Sequence, residues 1–185
     1  MDSNNKNERK QNLTKLLIPL LFPVVLWIVH LLSILFKEDL SKLGLLPRNL
    51  IGLLGIFTSP LIHANFSHLI SNTIPLIILG WIIFSFYPKV AYILFLFIYF
   101  VTGLLVWIFA RQVFHIGASG IVYGFVSFLF FSGIFRRDNT SIALALVITF
   151  LYGGLVWGII PGWKGISWES HLFGAITGLI AAYLF

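Results

Sequence analysis

The chain has 185 residues, of which 59% are hydrophobic and 10% are charged, and its mean hydropathy is +0.99. Soluble domains carry about 25% charged residues, so this composition excludes a water-soluble fold and indicates that lipid surrounds most of the chain. The chain has no cysteine, which excludes disulfides and thiol chemistry. The net charge of +6 does not indicate nucleic acid, because basic loops facing anionic lipid account for it in a membrane protein.

The chain begins with a polar segment that carries four basic residues, Lys6, Arg9, Lys10 and Lys15. We interpret residues 1–15 as a short disordered cytoplasmic tail. The apolar run at 16–36 predicts the first membrane-spanning helix. It does not fit a signal peptide, because its apolar core is too long and no small-residue cleavage site follows it. Residues 16–185 are then expected to form one membrane domain.

Residues 37–62 form the longest segment that is not predicted to cross the membrane. Charged residues and Pro47 interrupt its leucines, isoleucines and glycines. The segment is too apolar for a solvated loop and too broken to cross a bilayer. We predict a first loop that lies in the membrane interface and contains short amphipathic helices.

Five further apolar runs follow, at 65–86, 90–109, 119–135, 141–160 and 167–185. Each is close to the roughly 20 residues that a bilayer requires. Segments this apolar must be helical, because lipid cannot satisfy open backbone groups. The sequence therefore predicts an all-α polytopic membrane protein with a bundle of six spanning helices.

The distribution of lysine and arginine predicts the orientation. With the N-terminus inside, the inner side carries seven basic residues, namely the four in the tail with Lys89, Arg136 and Arg137. The outer side carries five, namely Lys37, Lys42, Arg48, Arg111 and Lys164. Because basic loops favour the cytoplasmic side, we expect a cytoplasmic N-terminus. The expected location is a bacterial cytoplasmic membrane.

Polar residues from three spans are predicted to meet near the outer face. Spans two, four and six run in the same direction, so their starts share one side: His68 and Asn72 in span two, Ser119 in span four and His171 in span six. Span four is only about 25 Å long at about 1.5 Å per residue. The hydrocarbon core is about 30 Å thick, so Ser119 is expected to lie below the membrane surface.

These residues can support acyl transfer. A serine hydroxyl becomes a nucleophile when a neighbouring base takes its proton, and His171 is the natural base. Spans four and six can approach closely because each has two glycines four residues apart, Gly120 with Gly124 and Gly174 with Gly178.

Further residues around the serine complete the predicted site. Tyr123 lies one helical turn below Ser119 on the same face, where it can stack on the His171 ring. The start of span four offers free backbone N–H groups, and His68 and Asn72 can add side-chain donors for an oxyanion.

The acidic residues exclude several other mechanisms. All six lie in the tail, the loops or the interface: Asp2, Glu8, Glu38, Asp39, Asp138 and Glu169. This argues against an aspartyl protease, against proton-coupled transport and against a Ser-His-Asp triad, and it leaves a Ser-His dyad. His63 and His68 do not form a His-Glu-x-x-His pattern, so no metal site is predicted.

At these positions the sequence resembles the rhomboid intramembrane serine proteases. The matching pieces are Gly117-Ala118-Ser119-Gly120 with Tyr123, then His68 with Asn72 after His63, and His171 with Gly174 and Gly178. One departure is that Leu54-Gly55 stands where many members carry a Trp-Arg pair in the first loop. This departure leaves the catalytic positions intact and concerns the anchoring of the loop.

The resemblance implies a role for each matching residue. Ser119 would be the nucleophile and His171 the base, while Tyr123 would support the His171 ring. The oxyanion hole would be lined by Asn72, by His68 and by the N–H groups of Ser119 and Ile116. Gly117 and the glycine pairs would support the site by turning and packing the chain. Substrates would be single-span membrane proteins cut near the outer face, and no cofactor is implied.

Purely structural interpretations of the same residues stay open beside the catalytic ones. Ser119 by itself would be a helix cap, and Asn72 would join helices by hydrogen bonding. His63 is expected to stabilise the first loop, and the sequence assigns no role to His30 or His115. At the level of the whole protein, a catalytically inactive relative that binds membrane proteins and a small transporter are the alternatives.

Overall fold

The computed structural model describes residues 3–162, 165 and 167–185, with side chains from residue 17 onward. Seven α-helices occur in chain order: α1 (Ser3–Phe36), α2 (Gly55–Thr58), α3 (Phe66–Phe86), α4 (Ala91–Phe109), α5 (Ser119–Arg136), α6 (Asn139–Tyr152) and α7 (Trp168–Leu184). Short 3-10 helices lie at Leu40–Leu43, Ile51–Leu54, Ser59–Leu61 and Gly153–Ile159. The described ranges contain no β-strand. Lys164, which entered the orientation count, lies outside them.

Five of the described helical segments are long and apolar enough to cross a membrane: Leu17–Phe36, Phe66–Phe86, Ala91–Phe109, Ser119–Arg136 and Asn139–Ile159. They coincide with the first five predicted spans. The sixth predicted span corresponds to α7, which is shorter at 17 residues. The all-helical architecture is therefore confirmed, and the count of six spans stays a prediction.

The predicted disorder of the N-terminal tail is wrong. Helix α1 begins at Ser3 and continues without interruption into the first span. Residues 3–15 contain no proline or glycine, and six of them, namely three lysines, one glutamate, one arginine and one glutamine, favour helices. Adding turns to an existing helix avoids the cost of nucleating a new one. The cytoplasmic location of the tail stays a prediction.

The first loop contains four short helical segments and lies against α4. The Arg48 guanidinium donates to the carbonyls of Ile108 at 3.1 Å and Ala110 at 2.7 Å. The Trp107 indole donates to the Asn49 carbonyl at 3.0 Å. The loop is thus attached to the bundle through the Arg48 side chain and the Asn49 carbonyl, although the Trp-Arg pair is absent. Its location in the membrane interface stays a prediction.

Helix α5 is the central element of the bundle. Of its residues, 61% are buried inside the protein, whereas only 6% of an 18-residue stretch in the span Asn139–Ile159 is buried. Helices α3, α4, α6 and α7 all pack against α5. The position of Ser119 at the start of α5 therefore places it inside the bundle.

Glycine makes the contact between α5 and α7 possible. A Cβ atom on Gly174 would overlap the carbonyl oxygen of Gly120, and one on Gly178 would overlap that of Gly124. The two helices consequently touch backbone to backbone over two turns. This is the close approach that the glycine spacing predicts.

Candidate active site

The first turns of α5 and α7 bring a serine and a histidine together. The His171 Nε2 atom lies 2.8 Å from the Ser119 Oγ atom, within hydrogen-bond distance. The two residues are 52 positions apart in the sequence. The glycine contact makes this short distance possible, because no side chain holds the two helices apart.

The other side of the His171 ring is held by α5 and by the 3-10 helix Gly153–Ile159 that follows α6. The Nδ1 atom lies 2.9 Å from the Gly158 carbonyl oxygen. The Tyr123 ring stacks on the imidazole, with a centroid distance of 4.2 Å and an interplanar angle of 7°. The Tyr123 hydroxyl donates to the Leu155 carbonyl at 2.8 Å. The imidazole is thus fixed at both nitrogens and on one face.

A cavity of about 740 Å³ opens over this pair of residues. Its lining includes Ser119, His171, Tyr123 and the three residues that the sequence predicted for the oxyanion hole, His68, Asn72 and Ile116. The structure therefore gathers the predicted residues from α3, α5, α7 and the loop before α5 around one space. A cavity of this size has room for an extended peptide segment beside the serine.

Asn72 and His68 lie on the α3 side of the cavity. The Asn72 side chain is buried, and its Nδ2 atom donates to the His68 carbonyl at 2.8 Å. The His68 ring lies against Gly117, where an added Cβ would be 2.6 Å from the His68 Nε2 atom. Gly117 also has a φ of +105°, a conformation that favours glycine. Both properties explain why glycine precedes the serine by two positions.

The loop before Ser119 is hydrogen-bonded to the first loop. The backbones of Leu45 and His115 exchange two hydrogen bonds, at 2.9 and 2.8 Å. The Gly117 N–H donates to the Ser59 carbonyl at 2.9 Å. The first loop therefore positions the backbone that carries the serine.

Side chains also join this loop to the start of α7, which sequence reasoning missed. The buried His115 ring lies with Nδ1 at 2.5 Å from the Ser167 hydroxyl and Nε2 at 3.0 Å from the Arg111 carbonyl. Burial lowers the pKa of His115. A neutral ring fits both partners, since it donates from Nε2 to the carbonyl and accepts the hydroxyl hydrogen at Nδ1.

An ion pair lies beside this contact. The Arg111 Nε and Nη2 atoms lie 2.5 and 3.3 Å from the two carboxylate oxygens of Glu169. The Glu169 side chain is buried and the Arg111 side chain is half-exposed. Glu169 is two residues before His171 but is directed toward Arg111. An acid near the start of a predicted helix is the one sequence signal for this pair.

Two other buried histidines, His63 and His30, lie near His68. The His63 ring is edge-on to His68, with centroids 5.0 Å apart, and His30 is edge-on to Phe66 at 4.9 Å. Both rings are buried, and burial lowers the pKa of His63 to about 4. Neither nitrogen of His63 has a hydrogen-bond partner in the described part of the chain.

The side chains of the site do not form a metal centre. Across residues with described side chains, no group of three or more His, Cys, Asp or Glu residues could hold a metal ion. The reactive groups that the site brings together are the Ser119 hydroxyl and the His171 imidazole.

Comparison with known proteins identifies the family. The family model of the rhomboid domain matches residues 51–185. An uncharacterized protein of Mycobacterium tuberculosis is 36% identical over 181 residues, covering 89% of this chain and 72% of the relative. An uncharacterized protein of Mycobacterium leprae is 34% identical over 178 residues, covering 89% and 69%. A protein of Acanthamoeba polyphaga mimivirus that is named as a rhomboid protein is 28% identical over 131 residues, covering 66% and 70%.

These matches and the spanning helices agree with the resemblance that residues 117–120 carry. The protein is an integral membrane protein, and its chain belongs to the rhomboid family.

Proposed function

We propose that the protein is an intramembrane serine endopeptidase that cleaves transmembrane segments of membrane proteins. The observation that carries this proposal is the 2.8 Å contact between Ser119 Oγ and His171 Nε2 at the head of the large cavity. Family membership supports protease-like chemistry. The presence of both side chains in hydrogen-bond contact favours an active enzyme over an inactive relative.

The reaction has two stages. Ser119 Oγ attacks the carbonyl carbon of a substrate peptide bond while His171 Nε2 takes the hydroxyl proton. The protonated His171 then gives this proton to the leaving amine as the peptide C–N bond breaks, which leaves an acyl ester on Ser119. A water molecule enters by the same cavity, loses a proton to His171 and attacks the ester, and the proton returns to Ser119 Oγ as the acid product departs.

The tetrahedral intermediates need donors for their oxyanion. The Asn72 amide has two N–H hydrogens, of which one is used by the His68 carbonyl, so the second is available to the substrate. The N–H of Ser119 belongs to the first turn of α5, where backbone donors have no partner within the helix. We assign the remaining donors to the N–H of Ile116 and to the His68 ring.

The proposed substrates are single-span membrane proteins, which would be cut where the helix unwinds near the outer face. The lysine and arginine distribution supports a cytoplasmic N-terminus, so that the cavity opens to the outer side of a bacterial cytoplasmic membrane. Residues 16–185 would form the protease domain behind the short tail at 1–15. No cofactor takes part in the proposed reaction.

Labelling with a serine-directed fluorophosphonate tests the proposal. The detergent-solubilised wild-type protein should become labelled, while Ser119→Ala and His171→Ala should not. Cleavage of a single-span reporter protein in liposomes should depend on the same two residues. Equal labelling of all three proteins, or no labelling of any, would disprove the proposed activity.

The Asn72→Ala variant tests the oxyanion hole. Proteolysis should fall by about 10- to 1000-fold if Asn72 donates to the oxyanion. The matched control is Ser71→Ala, because the Ser71 hydroxyl donates to the same His68 carbonyl at 2.9 Å. Similar small losses in both variants would show that Asn72 only stabilises its own helix.

A further inference from the structure

His171, the base in the proposed dyad, has a hydrogen-bond partner at Nδ1, which is the atom that faces a carboxylate in a Ser-His-Asp triad. Both nitrogens of His171 are occupied, Nε2 by Ser119 and Nδ1 by the Gly158 carbonyl oxygen. Glu169 is the acidic residue closest in sequence, and its carboxylate binds Arg111. The group that faces Nδ1 is therefore a backbone carbonyl at the end of the α6 segment, which comprises α6 and the 3-10 helix Gly153–Ile159 that continues it.

A carbonyl oxygen can only accept a hydrogen bond, so this contact determines the tautomer of His171. The proton must be on Nδ1, which donates it to Gly158. The lone pair of Nε2 then faces the Ser119 hydroxyl, as a general base requires. In a Ser-His-Asp triad the carboxylate selects the same tautomer.

The end of the α6 segment also supplies negative charge. Helix α6 continues into the 3-10 helix Gly153–Ile159, and the last carbonyls of a helix have no partner within it. These carbonyls carry the partial negative charge of the helix dipole, which stabilises a nearby histidine cation. One of them, the carbonyl of Gly158, faces the His171 Nδ1 atom, while the Leu155 carbonyl, one turn earlier in the 3-10 helix, accepts a hydrogen bond from the Tyr123 hydroxyl.

Glycine at position 158 allows this approach. A Cβ atom there would overlap the Tyr123 hydroxyl oxygen and would lie 3.2 Å from the His171 Nδ1 atom. Tyr123 cannot move away freely, because its ring is stacked on His171. By contrast, a Cβ on Gly154 in the same 3-10 helix would meet open space.

We propose that the carboxyl-terminal end of the α6 segment takes the place of the triad carboxylate, with Gly158 as the positioning residue. Its carbonyl holds His171 in the Nδ1–H tautomer, and the helix end stabilises the imidazolium that forms when Ser119 attacks. This inference rests on the proposed protease function, and it adds a third member to the dyad.

Replacing Ile159 by its α-hydroxy acid tests the inference without adding atoms at Gly158. The substitution turns the Gly158 carbonyl into an ester carbonyl, which is a weaker acceptor. The fluorophosphonate labelling rate should fall by about 3- to 10-fold. The matched control is the same replacement of Gly154, which removes one backbone N–H from the same 3-10 helix and weakens the Gly153 carbonyl instead.

A second pair of variants, Gly158→Ala and Gly154→Ala, adds a spectroscopic measurement. The ¹⁵N spectrum of the wild-type protein, with His171 assigned by its loss in His171→Gln, should show the Nδ1–H tautomer. Gly158→Ala should lose this signature and label about 10- to 100-fold more slowly. Gly154→Ala should keep the signature and label within about twofold of wild type.

The outcomes separate this inference from the proposed function. The inference is wrong, and the protease function stands, if the fluorophosphonate labels the wild-type protein and the variant with the ester between residues 158 and 159 at the same rate. The same holds if the wild-type protein is labelled but its His171 carries the proton on Nε2. If the wild-type protein does not label at Ser119, the proposed function fails and the inference fails with it.

Discussion

Helices α6 and α7 both contact α5, yet they serve the site in different ways. Helix α7 meets α5 through glycines whose backbones touch, so that no side chain separates Ser119 from His171. Helix α6 exposes most of its side chains, including Phe150, which is 88% exposed. Its contribution to the site comes from backbone carbonyls at the end of its 3-10 extension.

The difference shows where substitutions in this protein should matter. Between α5 and α7, one added methyl group must displace a backbone. Along the outer face of α6, a whole side chain faces the surroundings of the bundle and touches little. The predictions below test this contrast, from the largest expected effect to the smallest.

Gly174→Ala should have the largest effect. The new methyl group would overlap the Gly120 carbonyl oxygen, so α7 must move away from α5. We expect a loss of about 1–3 kcal/mol in stability. A displacement of about 1 Å costs on the order of 100-fold in rate, so fluorophosphonate labelling should fall by at least that factor.

Gly154→Ala is the matched control for this prediction, since its added methyl group meets open space. Thermal denaturation and labelling rates would be measured for both variants in the same detergent. Equal behaviour of the two alanine variants would contradict the contrast between α7 and α6.

Glu169→Gln tests whether the side-chain contacts of α7 also position His171. The substitution removes the charge that holds Arg111 and leaves the shape of the side chain unchanged. Since Arg111 is half-exposed, solvent screens the pair. We expect labelling to slow by about 3- to 10-fold, corresponding to roughly 1 kcal/mol. The control is Glu38→Gln, at an exposed position in the first loop. An equal labelling rate in the two variants would contradict a positioning role for Glu169.

The buried His63 predicts a pH dependence of stability. Burial lowers its pKa to about 4, from about 6.5 in an unfolded chain. Between these values only the unfolded chain binds the proton. The stability contribution is therefore complete above about pH 6.5 and is lost as the pH falls toward 4, by at most about 1.4 kcal/mol per pH unit.

Melting temperatures of wild type and His63→Phe, measured from pH 4 to 8, would reveal this contribution as a difference between the two curves. Titration of His115 and of the carboxylates is common to both proteins and cancels in the difference. Parallel curves would mean that His63 takes up a proton as readily in the folded protein as in the unfolded chain.

Phe150→Ala should have the smallest effect. The Phe150 side chain lies on the outer face of α6 and has few protein neighbours. Stability should change by no more than about 0.5 kcal/mol, and the labelling rate should equal that of wild type. A clear loss of stability would show that this face of α6 packs against protein.

Much of the candidate site follows from local sequence features. The apolar runs predict the spans within a few residues, because segment length and hydropathy are properties of each segment alone. The spacing of Gly120, Gly124, Gly174 and Gly178 predicts which helix faces approach. Tyr123 is placed against His171 by helical periodicity, and the structure has that stack. The helical tail was missed because its composition suits both a helix and disorder.

The remaining contacts depend on the folded chain. Arg111 and Glu169 are 58 residues apart, and His115 and Ser167 are 52 apart, so no local pattern pairs them. The sequence assigns no role to His115 and places Glu169 only among the acids of the tail, the loops and the interface. Its burial beside Arg111 appears only when the loop before α5 packs on the first turn of α7.

The sequence by itself determined that lipid surrounds most of this protein, where its long apolar helices lie and which side chains form the proposed dyad. Composition and periodicity are properties of single segments, so the sequence of each segment is enough to reveal them. Only the tertiary structure decided what faces the second nitrogen of His171. A backbone carbonyl such as that of Gly158 is present in every residue and has no signature in the sequence, so its role arises only from where packing places it.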